Sequence, residues 1–192
     1  CPRCLWLDQG RLVADGSSSE VVGGYLRSST SAIADVAVPP DATSAMRLRR
    51  VRVSDGTDGP PGIIEFSRPV VVELEYDINR AVNSSHVAVF IHDGEGVCVL
   101  GSGDADLEPA RLDRRAPGRF RARVALPPAL LNEGTYSLTV TMGVPYAEVY
   151  DRHESILQFE VVDQTSLRRE YQHHRRPGLL GIELPWSVEG LP

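Results

Sequence analysis

The stretch that most constrains the fold is a glycine turn followed by strict alternation of side-chain type. Leu131-Asn132-Glu133-Gly134 reads as a tight turn, and polar and apolar residues alternate over 135–142. A period of two with aromatic and β-branched residues is typical of a half-buried strand. We predict a core-facing set and an outward-facing set, which are Tyr136, Leu138, Val140 and Met142, and Thr135, Ser137, Thr139 and Thr141.

Tyr136 stands two residues after the turn glycine. At this place in many immunoglobulin-like sandwiches a tyrosine hydroxyl bonds back to upstream backbone and pins the corner. Any antiparallel strand after a glycine turn would show the same local pattern. The rest of the chain must therefore decide between the two readings.

Further strands with turn residues between them are predicted from Met46 onward. Their ranges are 46–54, 63–66, 69–77, 86–92, 97–100, 118–126, 134–142 and 155–162. The first needs a bulge near Arg49-Arg50, because Leu48, Val51 and Val53 otherwise cannot share a face. In 118–126 the predicted inward residues are Phe120, Ala122, Val124 and Leu126. No helix is predicted between these strands, so we expect an all-β, immunoglobulin-like antiparallel β-sandwich.

The connections are predicted as loops over 79–85, 101–117 and 143–154. The segment 163–176 is polar and basic, and we interpret it as a solvated linker in preference to an anion-binding patch. Residues 178–190 turn apolar again and are predicted as a last strand. Its Trp186 would anchor either in its own sandwich or in a second copy.

Residues 1–28 have a character of their own. Two short strands, 4–7 and 11–14, precede a helix predicted over 18–27 behind the capping box Ser17-x-x-Glu20. Such a segment is too small to bury its own core, so we expect it to belong to a larger body and the chain to be a fragment. Residues 29–45, rich in Ser, Thr, Ala and Pro, are predicted to be a linker, which leaves 46–192 for the sandwich.

Composition argues against several functions. The chain has 192 residues and a net charge of −6, which gives no reason to expect nucleic acid binding. No apolar run approaches the roughly 18 residues of a membrane helix. Cys1-x-x-Cys4 has zinc spacing but lacks further ligands nearby, so no metal site is predicted. Acid pairs such as Glu73/Glu75 and Asp104/Asp106 are typical of a solvated strand face, so we expect no catalysis.

The N-terminal run 3–16, followed by Glu20-Val21-Val22 and Tyr25-Leu26, resembles the end of an ABC-transporter ATP-binding domain. The catalytic elements of such domains lie upstream. No phosphate-binding G-x-x-x-x-G-K-[ST] loop occurs in the chain. The resemblance therefore implies that ATP and magnesium belong to an ATPase domain absent here, and that this fragment has no cofactor.

The order of segments resembles Wzt-type proteins, the ATP-binding subunits of O-antigen polysaccharide exporters. The sandwich motifs that carry the resemblance lie at 91–97, 130–136, 150–152 and 159–161, before a glycine-to-tryptophan final segment. The resemblance implies a domain that binds the exported glycan in the cytoplasm, peripheral to the inner membrane through the transporter permease. It also implies a homodimer made by exchange of the last strand. The basic insert 163–176 departs from the pattern and leaves the geometry of exchange open.

Candidate carbohydrate contacts lie on the outward face of one predicted sheet and in the loop at its end. They are His86, Phe90, His92, Ser137, Thr139, Thr141 and Gln158 on the strands, and Tyr146 and Tyr150 in the loop. Phe90 is expected to have no core duty, the alternative being that it packs under the tail or a partner chain. The loop tyrosines could instead be ordinary anchors, and Asp151 beside them could be structural.

The candidate dimer strand carries alternating apolar residues, which are Leu180, Ile182, Leu184 and Trp186. Two functions follow from these features. The first is a non-catalytic carbohydrate-binding domain, and the alternative is a dimerisation or docking module of the transporter ATPase without glycan affinity.

Overall fold

The computed structural model describes residues 3–8, 10–17, 21, 34–39, 43–57, 62–164, 166 and 177–190. Within these residues the chain forms strands joined by turns, with one short 3₁₀ helix at Pro109–Leu112. The strands are β1 (Arg3–Asp8), β2 (Arg11–Ser17), β3 (Asp35–Ala37), β4 (Met46–Ser54), β5 (Ile63–Glu65), β6 (Val70–Ile78), β7 (His86–Asp93), β8 (Cys98–Gly103), β9 (Gly118–Leu126), β10 (Gly134–Val144) and β11 (Glu148–Val162).

Two sheets pack face to face around one core, which confirms the all-β fold. One sheet has the order β3-β4-β6-β9 and the other β5-β11-β10-β7-β8, and β1 and β2 form a separate hairpin. Neighbouring strands are antiparallel except β5, which runs parallel to β11. Apolar side chains from both sheets meet in the middle, and the largest of them are fully buried. Such burial is the main favourable term in folding.

The tyrosine corner is present. The Tyr136 hydroxyl donates to the backbone oxygen of Asn132 at 2.8 Å, and its ring stacks on Phe159 with centroids 5.5 Å apart. The inward set of β10 is buried as the alternation predicts. The bulge in β4 is also confirmed, since its register with β6 shifts between Leu48 and Arg50.

The predicted linker 29–45 contains a strand, which corrects the sandwich boundary at residue 46. β3 pairs antiparallel with β4, and Ala34 just before it is buried in the core. Three residues are too few to show a period of two, so only pairing reveals this strand. An exposed ion pair between Asp35 and Arg50, with oxygen and nitrogen 2.6 Å apart, lies along the same edge.

The prediction of a loop over 143–154 is wrong. β10 continues to Val144 and β11 begins at Glu148, so only residues 145–147 connect them. The charged sequence of 151–154 hides the strand, which exists because its backbone pairs with β10. The loop predicted from residue 101 likewise begins with three residues of β8.

One residue predicted to be buried and one predicted strand also differ from the structure. Phe120 lies on the inward side of β9 but is 38% exposed, because β9 is an edge strand among the described strands of its sheet. The predicted strand 178–190 is absent from the described tail, which makes only an isolated bridge between Leu131 and Leu180. Of the helix predicted over 18–27, only Val21 is among the described residues. Most of the basic segment 163–176 also lies outside them.

Candidate ligand-binding face

The outer surface of the five-stranded sheet brings most of the predicted contacts together. β10 runs between β7 and β11, so its outward residues sit in cross-strand rows. Ser137 pairs with His92 on one side and Gln158 on the other, and Thr139 pairs with Phe90. We call this surface the polar face. It is defined by His86, Phe90, His92, Ser137, Thr141 and Gln158.

Thr139 is not accessible, which corrects its assignment as a candidate carbohydrate contact. Its side chain is 4% exposed, and its Oγ1 accepts the backbone N–H of Ser155 at 3.1 Å. β11 bulges opposite Thr139, where the pairing steps from Leu157 to His153, and Ser155 has a φ of 45°. The bulge leaves an N–H without a strand partner, and Thr139 satisfies it.

Phe90 has a structural duty, contrary to expectation. A Cβ added to Gly101 on β8 would lie 3.0 Å from Cδ1 and Cε1 of Phe90, so the ring lies directly over this glycine. An aromatic ring that covers a glycine on a neighbouring edge strand replaces the missing side-chain packing. Phe90 therefore packs on its own sheet and is only partly exposed.

The two histidines of the polar face have different surroundings. The Nδ1 of His92 is covered and has no hydrogen-bond partner among the described residues. His86 lies beside β8, where a Cβ at Gly103 would be 3.5 Å from its Nδ1 and 3.2 Å from Oδ1 of Asp106. His86 and Asp106 therefore both approach Gly103 on the outer side of β8.

Tyr146 and Tyr150 do not share a loop. Tyr146 is at the tip of the β10–β11 hairpin, with a φ of 60° and a fully exposed ring. Tyr150 lies on β11 and packs against the core, and its backbone oxygen accepts from Oγ of Ser44 at 2.5 Å. Burial, assisted by the nearby Glu148, raises the pKa of Tyr150.

Asp151 is a brace between the sheets. Its Oδ2 accepts the backbone N–H of Leu48 at 2.7 Å, next to the β4 bulge. Its Oδ1 lies 3.0 Å from Nε2 of His153 on the same strand. Because the carboxylate serves the backbone of the opposite sheet, it holds β11 against β4.

Sequence reasoning missed a cleft at the opposite side of the sandwich, between the edge strands β8 and β9. We call it the edge cleft, and its volume is about 550 Å³. Its floor is apolar and formed by Val72, Leu74, Val87, Val89, Ala122 and Val124. Its lips are polar, and include Ser102, Asp104, Asp106 and Glu108 on one side and Arg121 and Arg123 on the other. No local pattern reveals it, because it depends on which two strands end up at the sheet edges.

The predicted dimer residues are exposed. Leu180, Ile182 and Leu184 are partly accessible, and Trp186 is 87% exposed. The start of the tail is held by Asn132 of the tyrosine corner. The Nδ2 of Asn132 donates to the backbone oxygen of Gly178 at 2.7 Å, and the backbone N–H of Asn132 donates to the backbone oxygen of Leu179 at 3.2 Å. The tail is thus tied at its start, and its alternating apolar side chains face outward.

No group of three or more His, Cys, Asp or Glu side chains in the described ranges could hold a metal ion. Among the described cysteines, Cys4 and Cys98 are not joined to each other by a disulfide. Across the same ranges no helix is long and apolar enough to cross a membrane.

Comparison with known families identifies the domain. The Wzt C-terminal domain family matches residues 42–177, which is most of the chain. The chain belongs to the Wzt C-terminal domain family. A crystal structure of the C-terminal domain of Wzt has the same fold, with a TM-score of 0.61 and 12% identity over 77% of this chain and 86% of that one.

More distant structures share less with this Wzt C-terminal domain. A CARDB domain from Pyrococcus furiosus has a TM-score of 0.38 at 16% identity, over 64% of this chain and 100% of that one. A β-glucosidase from Listeria innocua in complex with gluconolactone has a TM-score of 0.36 at 12% identity, over 62% of this chain and 16% of that one. These scores are too low to carry an argument. No curated protein matches the chain.

Proposed function

We propose that this domain belongs to the ATP-binding subunit of an ABC transporter for O-antigen polysaccharide, and that it binds the exported glycan without catalysis. The observation that carries the proposal is family membership over residues 42–177. The likeness of residues 3–26 to the end of an ATP-binding domain supports the same context. The proposed place of action is the cytoplasmic side of the inner membrane, reached through the transporter permease.

The polar face offers chemistry that suits a sugar chain. Ser137, Thr141 and Gln158 present hydroxyl and amide groups from adjacent strands, and each is half-buried. Binding sites for polar ligands combine a preformed surface with a few placed hydrogen-bonding groups and apolar contact. Here β10 supplies the hydroxyls, and the accessible part of the Phe90 ring supplies the apolar contact.

The binding test uses O polysaccharide purified from the source organism. Wild type should bind it saturably, and Thr141→Arg should weaken binding about tenfold or more, because a long charged side chain would cover the middle of the polar face. Ala125→Arg is the matched control, since Ala125 is exposed on β9 of the other sheet. Absence of binding by the wild-type chain would refute the glycan proposal.

A dimerisation role is supported by a separate observation. Ile182, Leu184, Trp186 and Val188 alternate along the tail and are exposed. An exposed, alternating apolar pattern is suited to association with another chain. This role is compatible with glycan binding, and it is the alternative function if binding is absent.

Light scattering tests the dimer. The full chain should have twice the mass of a chain ending at residue 176, if the tail pairs two copies. Equal monomeric masses would contradict tail-mediated dimerisation and leave the glycan result unaffected.

A further inference from the structure

The sandwich is braced on one side and open on the other. At the braced side Asp151 of β11 accepts from Leu48 of β4. At the opposite side β8 and β9 end their respective sheets and are not hydrogen-bonded to each other. The edge cleft lies in this opening, where apolar side chains of both sheets form its floor.

The two lips of the edge cleft differ in charge. Asp104, Asp106 and Glu108 line one side, and Arg121 and Arg123 line the other. The carboxylate of Asp104 is paired with both terminal nitrogens of Arg115 at 2.8 and 3.0 Å. Asp106 lines the same side of the edge cleft.

Asp106 has a fixed orientation. Its Oδ2 accepts the Ser102 hydroxyl at 3.0 Å and the Gly103 N–H at 2.8 Å. Its Oδ1 lies over Gly103 beside His86 of the polar face. Asp106 therefore borders both surfaces, so the polar face continues around the β8 edge into the edge cleft.

This charge arrangement selects the class of ligand. Arg121 and Arg123 are ion-paired with Glu75 and Glu73 of β6 at 2.7 and 3.9 Å, and Asp104 is paired with Arg115, so most of the charge at the lips is already balanced. A neutral ring with several hydroxyl groups can donate to carboxylates on one side and accept from guanidinium groups on the other. Its C–H face can rest on the apolar floor, and the volume is within the usual range for small-ligand pockets.

We infer that the edge cleft is a sugar subsite, which takes one uncharged pyranose residue of the polysaccharide whose neighbouring residues lie on the polar face. The inference rests on the proposed function. The subsite extends the proposed function, because it adds residues of β8, β9 and the turn after β8 to the binding surface. Among them are Ser102, Asp106 and Glu108.

The test compares two substitutions on one strand. Ala122 lines the edge cleft and Ala125, on the other side of β9, is exposed. Ala122→Phe should fill the cleft and weaken binding of the purified O polysaccharide about tenfold or more, whereas Ala125→Phe should bind as wild type does. Circular dichroism and melting curves establish that both variants fold.

The outcomes separate the two proposals. If wild type does not bind the polysaccharide, the proposed function is refuted. If wild type binds and Ala122→Phe binds equally well, the subsite is refuted and the proposed function stands.

A measurement on the wild-type chain decides the matter if Ala122→Phe does not fold. Methyl NMR signals of Val124 and Val89, which line the edge cleft, should shift on addition of the polysaccharide. The methyls of Leu48, on the braced side, should not. Unchanged signals of Val124 and Val89 at saturation would overturn the subsite.

Discussion

The tyrosine corner gives the sharpest stability prediction. Tyr136 is 2% exposed, and its hydroxyl donates to the backbone oxygen of Asn132, a residue that is 3% exposed. Tyr136→Phe removes this donor and leaves a buried carbonyl without it. Loss of one partner of a buried hydrogen bond costs about 1–3 kcal/mol. The ring remains stacked on Phe159, so we expect no additional cost from a cavity.

Urea and thermal unfolding measure the effect. For a chain of this size, 1 kcal/mol corresponds to about 2–4 °C, so the melting temperature should fall by about 2–12 °C. The dependence of unfolding free energy on urea should keep its slope, because the surface exposed on unfolding is unchanged.

Tyr146→Phe is the matched control. This tyrosine is fully exposed at a hairpin tip, so removing its hydroxyl should change the free energy of unfolding by no more than about 0.5 kcal/mol. If Tyr136→Phe were as stable as Tyr146→Phe, the corner hydrogen bond would not contribute as argued.

Two further predictions concern the tail and the edge of the smaller sheet. In Gly181→Val the new Cβ would clash with Cε2 of Phe66, so the tail should detach and become more sensitive to limited proteolysis. In Gly190→Val the new Cβ meets nothing within 4 Å, so the tail should stay attached. An unchanged digestion pattern would contradict this. The hydrogen bond from Arg50 lowers the pKa of Asp35, so this carboxylate stabilises the fold above its ordinary pKa and loses the effect as pH falls through the lowered value. Asp35→Asn should therefore destabilise the chain more at neutral pH than in acid, where the carboxyl group is protonated, and an equal difference in urea unfolding at both would refute the reasoning.

The sequence alone determined the features that depend on local pattern. The alternation of β10, the bulge in β4 and the role of Tyr136 were all readable, because a buried face demands apolar residues at every second position. The order of motifs was also enough to indicate the Wzt C-terminal domain family. These predictions needed no knowledge of which strands are neighbours.

The tertiary structure decided what depends on those neighbours. β3 and the charged start of β11 are strands because a partner backbone pairs with them, not because their residues alternate. Thr139 is buried because β11 bulges opposite it, and Phe90 is engaged because a glycine lies beside it on β8. The edge cleft exists only because β8 and β9 are the strands left at the open side. Cross-strand register and edge position join residues far apart in the chain, so no local period in the sequence records them.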